Sequence, residues 1–196
     1  MSKIIGITGG IASGKSNIIR IIKEKGYKII NSDQIYNDLV QKGGIIYQNI
    51  LNNFGPDYLD DDGNIDRIKL GKLIYNDNNQ RIKLNNITHP IIKDVIKKEI
   101  KKSNDSLIFV EIPLLFEAKF EDICDFIIVS YLPKDIQIKR LMYRDNIDKE
   151  YAIKKINSQM QLDEKKELAD FIIDTSSTFK NTEKQVIELL DKLKEI

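Results

Sequence analysis

Ile7-Thr8-Gly9-Gly10-Ile11-Ala12-Ser13-Gly14-Lys15-Ser16 is the stretch that decides how this chain folds. From Gly9 to Ser16 it matches Gly-x-x-x-x-Gly-Lys-Ser/Thr, a loop whose backbone wraps around phosphate groups. Lys3 to Thr8, just before it, reads as a buried strand, and Lys15 to Lys25, just after it, has helical periodicity. Glycines let such a loop close on an anion with its N–H groups pointing inward, and the helix N-terminus adds its dipole. That chemistry makes Gly10, Ile11, Ala12, Ser13, Gly14, Lys15 and Ser16 the ATP-binding residues. Lys15 is the catalytic cation on the β- and γ-phosphates, and the Ser16 hydroxyl is a ligand for Mg²⁺, the expected cofactor.

The loop points to a nucleoside triphosphate and leaves the reaction open. An Asn-Lys-x-Asp tetrapeptide, which switch-type GTPases use to read guanine, does not occur. A chain of 196 residues is short for a motor or pump with coupling elements. Small kinases of nucleotides and metabolites, in which a charged arm closes over ATP and excludes water, fit best.

Composition narrows the setting. The chain has 31 basic and 30 acidic residues for a formal charge of +1, which gives no support to a nucleic-acid or membrane-surface role. A single cysteine, Cys124, excludes an internal disulfide and, with no signal peptide in view, suggests a cytoplasmic protein. Small-molecule substrates are the expected partners, and a monomer is the expected state. Arginine is scarce at five residues against 26 lysines, so a cluster of arginines carries information.

Outward from the loop, short apolar runs alternate with helix-period segments, the pattern of a parallel sheet built from βαβ units. Strands are expected at 27–31, 107–111, 125–131 and 170–173, besides the first. Helices are expected from Ser32, over most of 43–86, from Pro90 to Lys102 and from Asn181 to Ile196. Residues 134–167 read as a charged helical arm packed loosely on the body. The acidic turn Asp60-Asp61-Asp62-Gly63 is not a calcium loop, because its first and last ligand positions would be Tyr58 and Lys69.

In an open α/β sheet ligands gather beyond the carboxyl ends of the strands. Asp33, just past the second strand, is the candidate base for an attacking hydroxyl. Glu111 ends the central strand, where an acid serves Mg²⁺ or its waters, and Pro113 turns the chain away after it. Arg140 and Arg144 lie at i and i+4, so one helix face offers two guanidinium groups to a phosphate chain, with Arg140 catalytic. His89 is the only histidine, followed by Pro90 at what reads as a helix start.

These residues together resemble the dephospho-CoA kinase family over nearly the whole chain. Ile7 to Ser16 is similar to the family's P-loop, Thr88-His89-Pro90 to its substrate-side motif, and Glu111-Ile-Pro-Leu-Leu-Phe-Glu117 to its strand-end segment. Lys139-Arg-Leu-Met-Tyr-Arg-Asp145 resembles its lid arginines, and Gln159 and Ala169-Asp170 follow in order. The resemblance implies a single α/β P-loop kinase domain over 1–196, three-layered, with a five-stranded mostly parallel sheet. It further implies a helical substrate-binding insertion at about 36–102 and a helical lid at about 134–167. The implied reaction moves the ATP γ-phosphoryl group to the ribose 3′-hydroxyl of dephospho-CoA, the last step of coenzyme A synthesis. Asp33 would be the base, and Thr88, His89, Pro90, Leu114 and Glu117 would bind the acceptor. The chain departs from the family at Asn31 and Glu111, where Asp is usual, at Asn37, where Arg is common, and at Thr175, where Asn is frequent near the adenine. Two other readings follow from the P-loop alone: a kinase of another small acceptor, such as a nucleoside monophosphate, and a non-catalytic ATP sensor.

Overall fold

The computed structural model describes residues 2–196. One sheet holds β1 (Lys3–Gly9), β2 (Ile29–Asn31), β3 (Leu107–Glu111), β4 (Phe126–Tyr131) and β5 (Phe171–Asp174), in the order β2-β3-β1-β4-β5. The pairings β1–β3, β1–β4 and β4–β5 are parallel, so the α/β architecture expected from the alternating pattern is the one found. All five residues of β3 are buried, as a strand covered on both faces requires. From β1 the chain first builds β2 and β3 on one side and then crosses to build β4 and β5 on the other. Such a reversal opens a crevice at the carboxyl ends of the strands, and Gly9–Ser16 leaves β1 at that point.

The helices are α1 (Lys15–Glu24), α2 (Ser32–Leu39), α3 (Ile45–Phe54), α4 (Arg67–Asn76), α5 (Asn78–Lys102), α6 (Lys134–Asp145), α7 (Lys149–Asn157), α8 (Leu162–Glu167) and α9 (Phe179–Glu195). The chain groups into two compact units, one of residues 2–30 with 100–196 and one of residues 31–99.

In the first unit, Ile5, Ile7, Phe109, Ile128 and Ile173 of the sheet meet α1 and α9. Ile18, Ile21 and Ile22 face them from α1, and Val186, Leu189, Leu190 and Leu193 from α9. Each such side chain, fully buried, contributes about 1.5–3 kcal/mol. Helix α9 begins two residues earlier than its apolar stripe predicts, because the Thr178 hydroxyl accepts from Asn181 N at 3.3 Å and caps it. Strand β5 starts one residue later than expected, because the Asp170 carboxylate instead accepts from Ile127 N at 2.8 Å. On the opposite face of β1, a methyl group on Gly6 would lie 2.7 Å from both Leu115 Cδ1 and Cys124 Sγ, so the segment after β3 packs directly on the strand backbone there. Burial pushes the Cys124 thiol up to about 12, aided by nearby Asp125, which makes it an inert packing residue.

The second unit holds α2, α3, α4 and most of α5. Asp60 accepts from Asp62 N (3.0 Å) and Asn64 N (2.8 Å), and Gly63 has φ +75°, so the acidic run is the tight turn its composition predicts. One expectation fails here. Thr88-His89-Pro90 does not begin a helix; Pro90 lies well inside the continuous helix α5. Proline removes one backbone donor and tends to break a helix. Here Leu84, Thr88, Ile92 and Ile96 form a buried row at i, i+4 spacing that runs straight across it, and that burial holds the helix together.

Candidate active site

The phosphate loop takes its shape from two left-handed residues, Ala12 at φ 58° and Gly14 at φ +86°, and from a turn in which Ser13 N donates to Gly10 O at 3.1 Å. Gly14 is also the N-cap of α1, which has no side-chain cap, so the donors of its first turn point to the loop's concavity without a competing acceptor from a cap. A methyl group on Gly14 would meet Thr175 side-chain atoms at 3.1–3.3 Å in a conformation that L-residues rarely adopt. We expect Gly14→Ala to lose about 1–2 kcal/mol from the left-handed backbone alone, read as a lower urea midpoint.

Behind the loop, its carbonyls are held by side chains from four other elements. Ser13 O accepts from Ser130 Oγ at 2.7 Å and from Thr175 Oγ1 at 2.6 Å, and both hydroxyls are buried. Thr175, one of the departures from the family pattern, therefore supports the loop directly. The Ile11 peptide is gripped at both ends: its N–H donates to Gln159 Oε1 at 3.0 Å and its carbonyl accepts from Gln137 Nε2 at 2.8 Å. Ile11 thus supplies both ends of its backbone to the scaffold. Lys165, wholly buried, donates to Gly9 O at 3.3 Å, to Pro113 O at 3.1 Å and to the Glu117 carboxylate at 3.0 Å.

These contacts correct the picture of a loosely packed arm over 134–167. Ile11 and Ala12 pack against a cluster of Leu141, Ala152 and Ile156, and the buried Gln137 and Lys165 fasten α6 and α8 to the loop. Polar side chains that look solvated in sequence are here the anchors.

On the loop's front side, Lys15 Nζ forms an ion pair with Glu111, each side chain less than one-sixth exposed. Beta-strand pairing brings this about, since Ile7 is in register with Glu111 in β1 and β3. Ser16 is exposed at the start of α1. Arg140 Nη2 donates to Thr175 O at 2.6 Å, so it is anchored at the rear of the loop. Arg144 is half-exposed and donates to Asp145, whose carboxyl the Arg144 and Lys155 hydrogen bonds hold down at about 2. The two arginines therefore have different partners. Leu114 is an exposed apolar side chain on the turn after β3, whereas the Glu117 carboxylate accepts from Met160 N at 3.0 Å besides Lys165.

The remaining predicted residues belong to the unit 31–99. Asn31 ends β2 and caps α2, accepting from Gln34 N at 2.9 Å, a role that needs no charge. Asp33 follows, exposed in the first turn of α2. Asn37 Oδ1 accepts from Arg67 Nη1 at 3.0 Å, so α4 brings a guanidinium to the position at which the family pattern has its own arginine. Thr88 is buried, and its hydroxyl donates to Leu84 O at 2.9 Å. His89 is half-buried, and burial lowers its pKa, which keeps the imidazole neutral near pH 7. Pro90 is exposed.

Sequence reasoning missed Gln137, Ser130, Lys165 and Arg67. Gln137 could have been found, since it lies one turn before Arg140 on the same helix face. Lys165 could not, being one lysine among 26.

A phosphate loop at the carboxyl edge of a five-stranded α/β sheet, with a basic helix behind it, defines a P-loop kinase. The solved shikimate kinase of Acinetobacter baumannii shares this fold at a TM-score of 0.55 and 14% identity, covering 100% of this chain and 94% of that one. Residues 3–181 match the family model for dephospho-CoA kinase. The chain belongs to the dephospho-CoA kinase family. Its similarity to the dephospho-CoA kinase of Carboxydothermus hydrogenoformans is 44% identity over 97% of this chain and 94% of the relative. For the enzyme of Listeria innocua the identity is 40% over 98% of both chains. The solved dephospho-CoA kinase of Campylobacter jejuni superimposes with a TM-score of 0.73 at 31% identity, covering 98% of each chain.

Proposed function

We propose that this chain transfers the γ-phosphoryl group of ATP to the 3′-hydroxyl of the ribose of dephospho-CoA, giving coenzyme A and ADP. The observation that carries the donor half is the cradle itself: an uncapped α1 N-terminus, a loop bent by Gly14, and Lys15 beside it. Family membership carries the acceptor half.

In this reading a lone pair of the acceptor oxygen forms the new O–P bond. The bond to the bridging oxygen breaks with its electrons going to ADP, and the hydroxyl proton passes to Asp33. Lys15 is ion-paired with Glu111 and exchanges that carboxylate for phosphate oxygens when ATP binds. The exchange gives the Lys15 ammonium an anionic partner before and after ATP binds and holds it in place. Arg140 and Arg144 neutralise charge on the phosphate chain, the first from its anchored position and the second after leaving Asp145. Asp33, Thr88, His89 and Pro90 serve the acceptor in the unit 31–99. The Thr88 hydroxyl donates to Leu84 O, which fixes its orientation on the helix and leaves its lone pairs as acceptors. Leu114 offers the acceptor an apolar contact, and Glu117 acts through its pair with Lys165.

Among the described residues, no group of three or more His, Cys, Asp or Glu side chains could hold a metal ion on its own. The Ser16 hydroxyl and the Glu111 carboxylate are hard oxygen donors of the kind Mg²⁺ shares with substrate phosphates and water. They fit that ion, which would supply charge neutralisation on the β- and γ-oxygens. No helix among the described residues is long and apolar enough to cross a membrane. We place the reaction in the cytoplasm because of the family's place in coenzyme A synthesis. Residues about 36–102 act as the acceptor-binding insertion and about 134–167 as the arm that covers the nucleotide.

A panel of acceptors with ATP and Mg²⁺, read by product mass, tests the reading. We expect a phosphorylated product from dephospho-CoA and none from nucleoside monophosphates or shikimate. ADP release with a nucleotide and none with dephospho-CoA would overturn it. No turnover with any acceptor, together with tight ATP binding, would favour a sensor.

A further inference from the structure

We propose that Lys165 is a positioning residue of the ATP site: its buried ammonium fixes the start of the phosphate loop by tying Gly9 O to Pro113 O and the Glu117 carboxylate. The proposal deepens the kinase reading and rests on its donor half.

An ammonium has three donors and no acceptor. Lys165 has three sets of acceptors around it, Gly9 O at 3.3 Å, Pro113 O at 3.1 Å and Glu117 at 3.0 Å, and its side chain is 0% exposed. Every proton is thereby used, and none is left for substrate. The acceptors come from two segments that leave the carboxyl ends of adjacent strands, β1 and β3. A third segment joins them, because Glu117 also accepts from Met160 N and Thr8 Oγ1 donates to Pro113 O at 3.0 Å. The ammonium therefore sits at a junction of β1, the turn after β3, and α8.

Gly9 is where the junction meets the chemistry. A methyl group there would come within 2.5 Å of Ser13 Oγ and 3.1 Å of Ser130 Cβ, so the loop folds back closely on its first residue. Ser13 Oγ is itself buried, so the loop packs tightly against Gly9. A displacement of the Gly9 carbonyl is transmitted to the Gly10–Ser13 turn and to the Ser13 carbonyl that Ser130 and Thr175 hold. Burial lowers the pKa of Lys165, and the Glu117 carboxylate opposes that shift only in part. The ion pair thus favours the charged form that the three contacts need.

A buried ion pair can also be merely structural, with each charge present only to neutralise the other. Two variants separate the cases. Lys165→Met removes the ammonium and leaves Glu117, whereas the double variant K165M/E117L removes both charges and leaves an apolar pair. Titration calorimetry with ATP and Mg²⁺ and thermal unfolding are measured on both, with no acceptor present. Loss of one charge-assisted hydrogen bond on the loop corresponds to about a tenfold or greater rise in the Kd for ATP. We expect that rise in both variants, with the melting temperature lowered in Lys165→Met and recovered in the double variant. Recovery of ATP affinity along with the melting temperature would overturn the proposal, as would Lys165→Met binding ATP like the wild type. If instead the wild type binds ATP but does not phosphorylate dephospho-CoA, the acceptor reading fails while the positioning role stands.

Discussion

Lys15→Met is expected to lower turnover by about 10³-fold, the upper range for losing one preorganised electrostatic group in a dry site. Charge builds on the γ-phosphoryl oxygens as the bond to ADP breaks, and Lys15 is the cation that the loop delivers there. The variant has a second consequence that must be separated from the first. Glu111 is nearly buried and loses its ammonium partner, and breaking a buried pair costs about 3–5 kcal/mol. We expect Lys15→Met to unfold at a lower temperature, and K15M/E111Q to recover most of that loss without recovering activity. Single-turnover measurement at saturating ATP, beside thermal unfolding, reads both quantities. A double variant that regained turnover with its stability would show that Lys15 acts only as the partner of Glu111.

Asp33→Asn is expected to lower turnover by about 10²- to 10⁴-fold, the range for removing a general base. Asparagine keeps the size of the side chain and can still accept a hydrogen bond from the acceptor hydroxyl. It cannot take the proton. Asp33 is exposed in the first turn of α2, so the substitution disturbs little packing, and the melting temperature should move by less than about 1 °C per few tenths of a kcal/mol lost there. ATP affinity by calorimetry should be unchanged. Undiminished turnover with dephospho-CoA would remove Asp33 from the role of base.

Much of the fold was legible because its signals are local. Leu107 to Glu111 is a near-continuous apolar run, as expected of a strand buried on both faces, and β3 spans those residues. The stripe Val186, Leu189, Leu190 and Leu193 predicts the face of α9 that packs on the core, and all four are buried. Proline's local preference points to a helix start at Thr88–Pro90, and the buried row Leu84, Thr88, Ile92 and Ile96 overrides it. The arm over 134–167 was misread for a related reason. Gln137 and Lys165 look solvated by type, and only the neighbouring carbonyls of Ile11, Gly9 and Pro113 make their burial favourable.

The candidate site divides in the same way. Asn31 and Asn37 stand out in sequence as lost charges. In the structure Asn31 caps α2, and Asn37 receives Arg67 from another helix. A residue's type shows what it lacks, and its partners show what it does.

By itself the sequence determined the phosphate loop and the parallel sheet around it, since each is written in short runs with a plain physical reading, and its motifs together carried the family resemblance. Only the tertiary structure decided how the loop is held. Gln137, Gln159, Lys165 and Thr175 lie between 126 and 162 residues away from the loop backbone they bond. A hydrogen bond between side chain and distant carbonyl leaves no periodicity in the chain, because it is set by where the strands end in space.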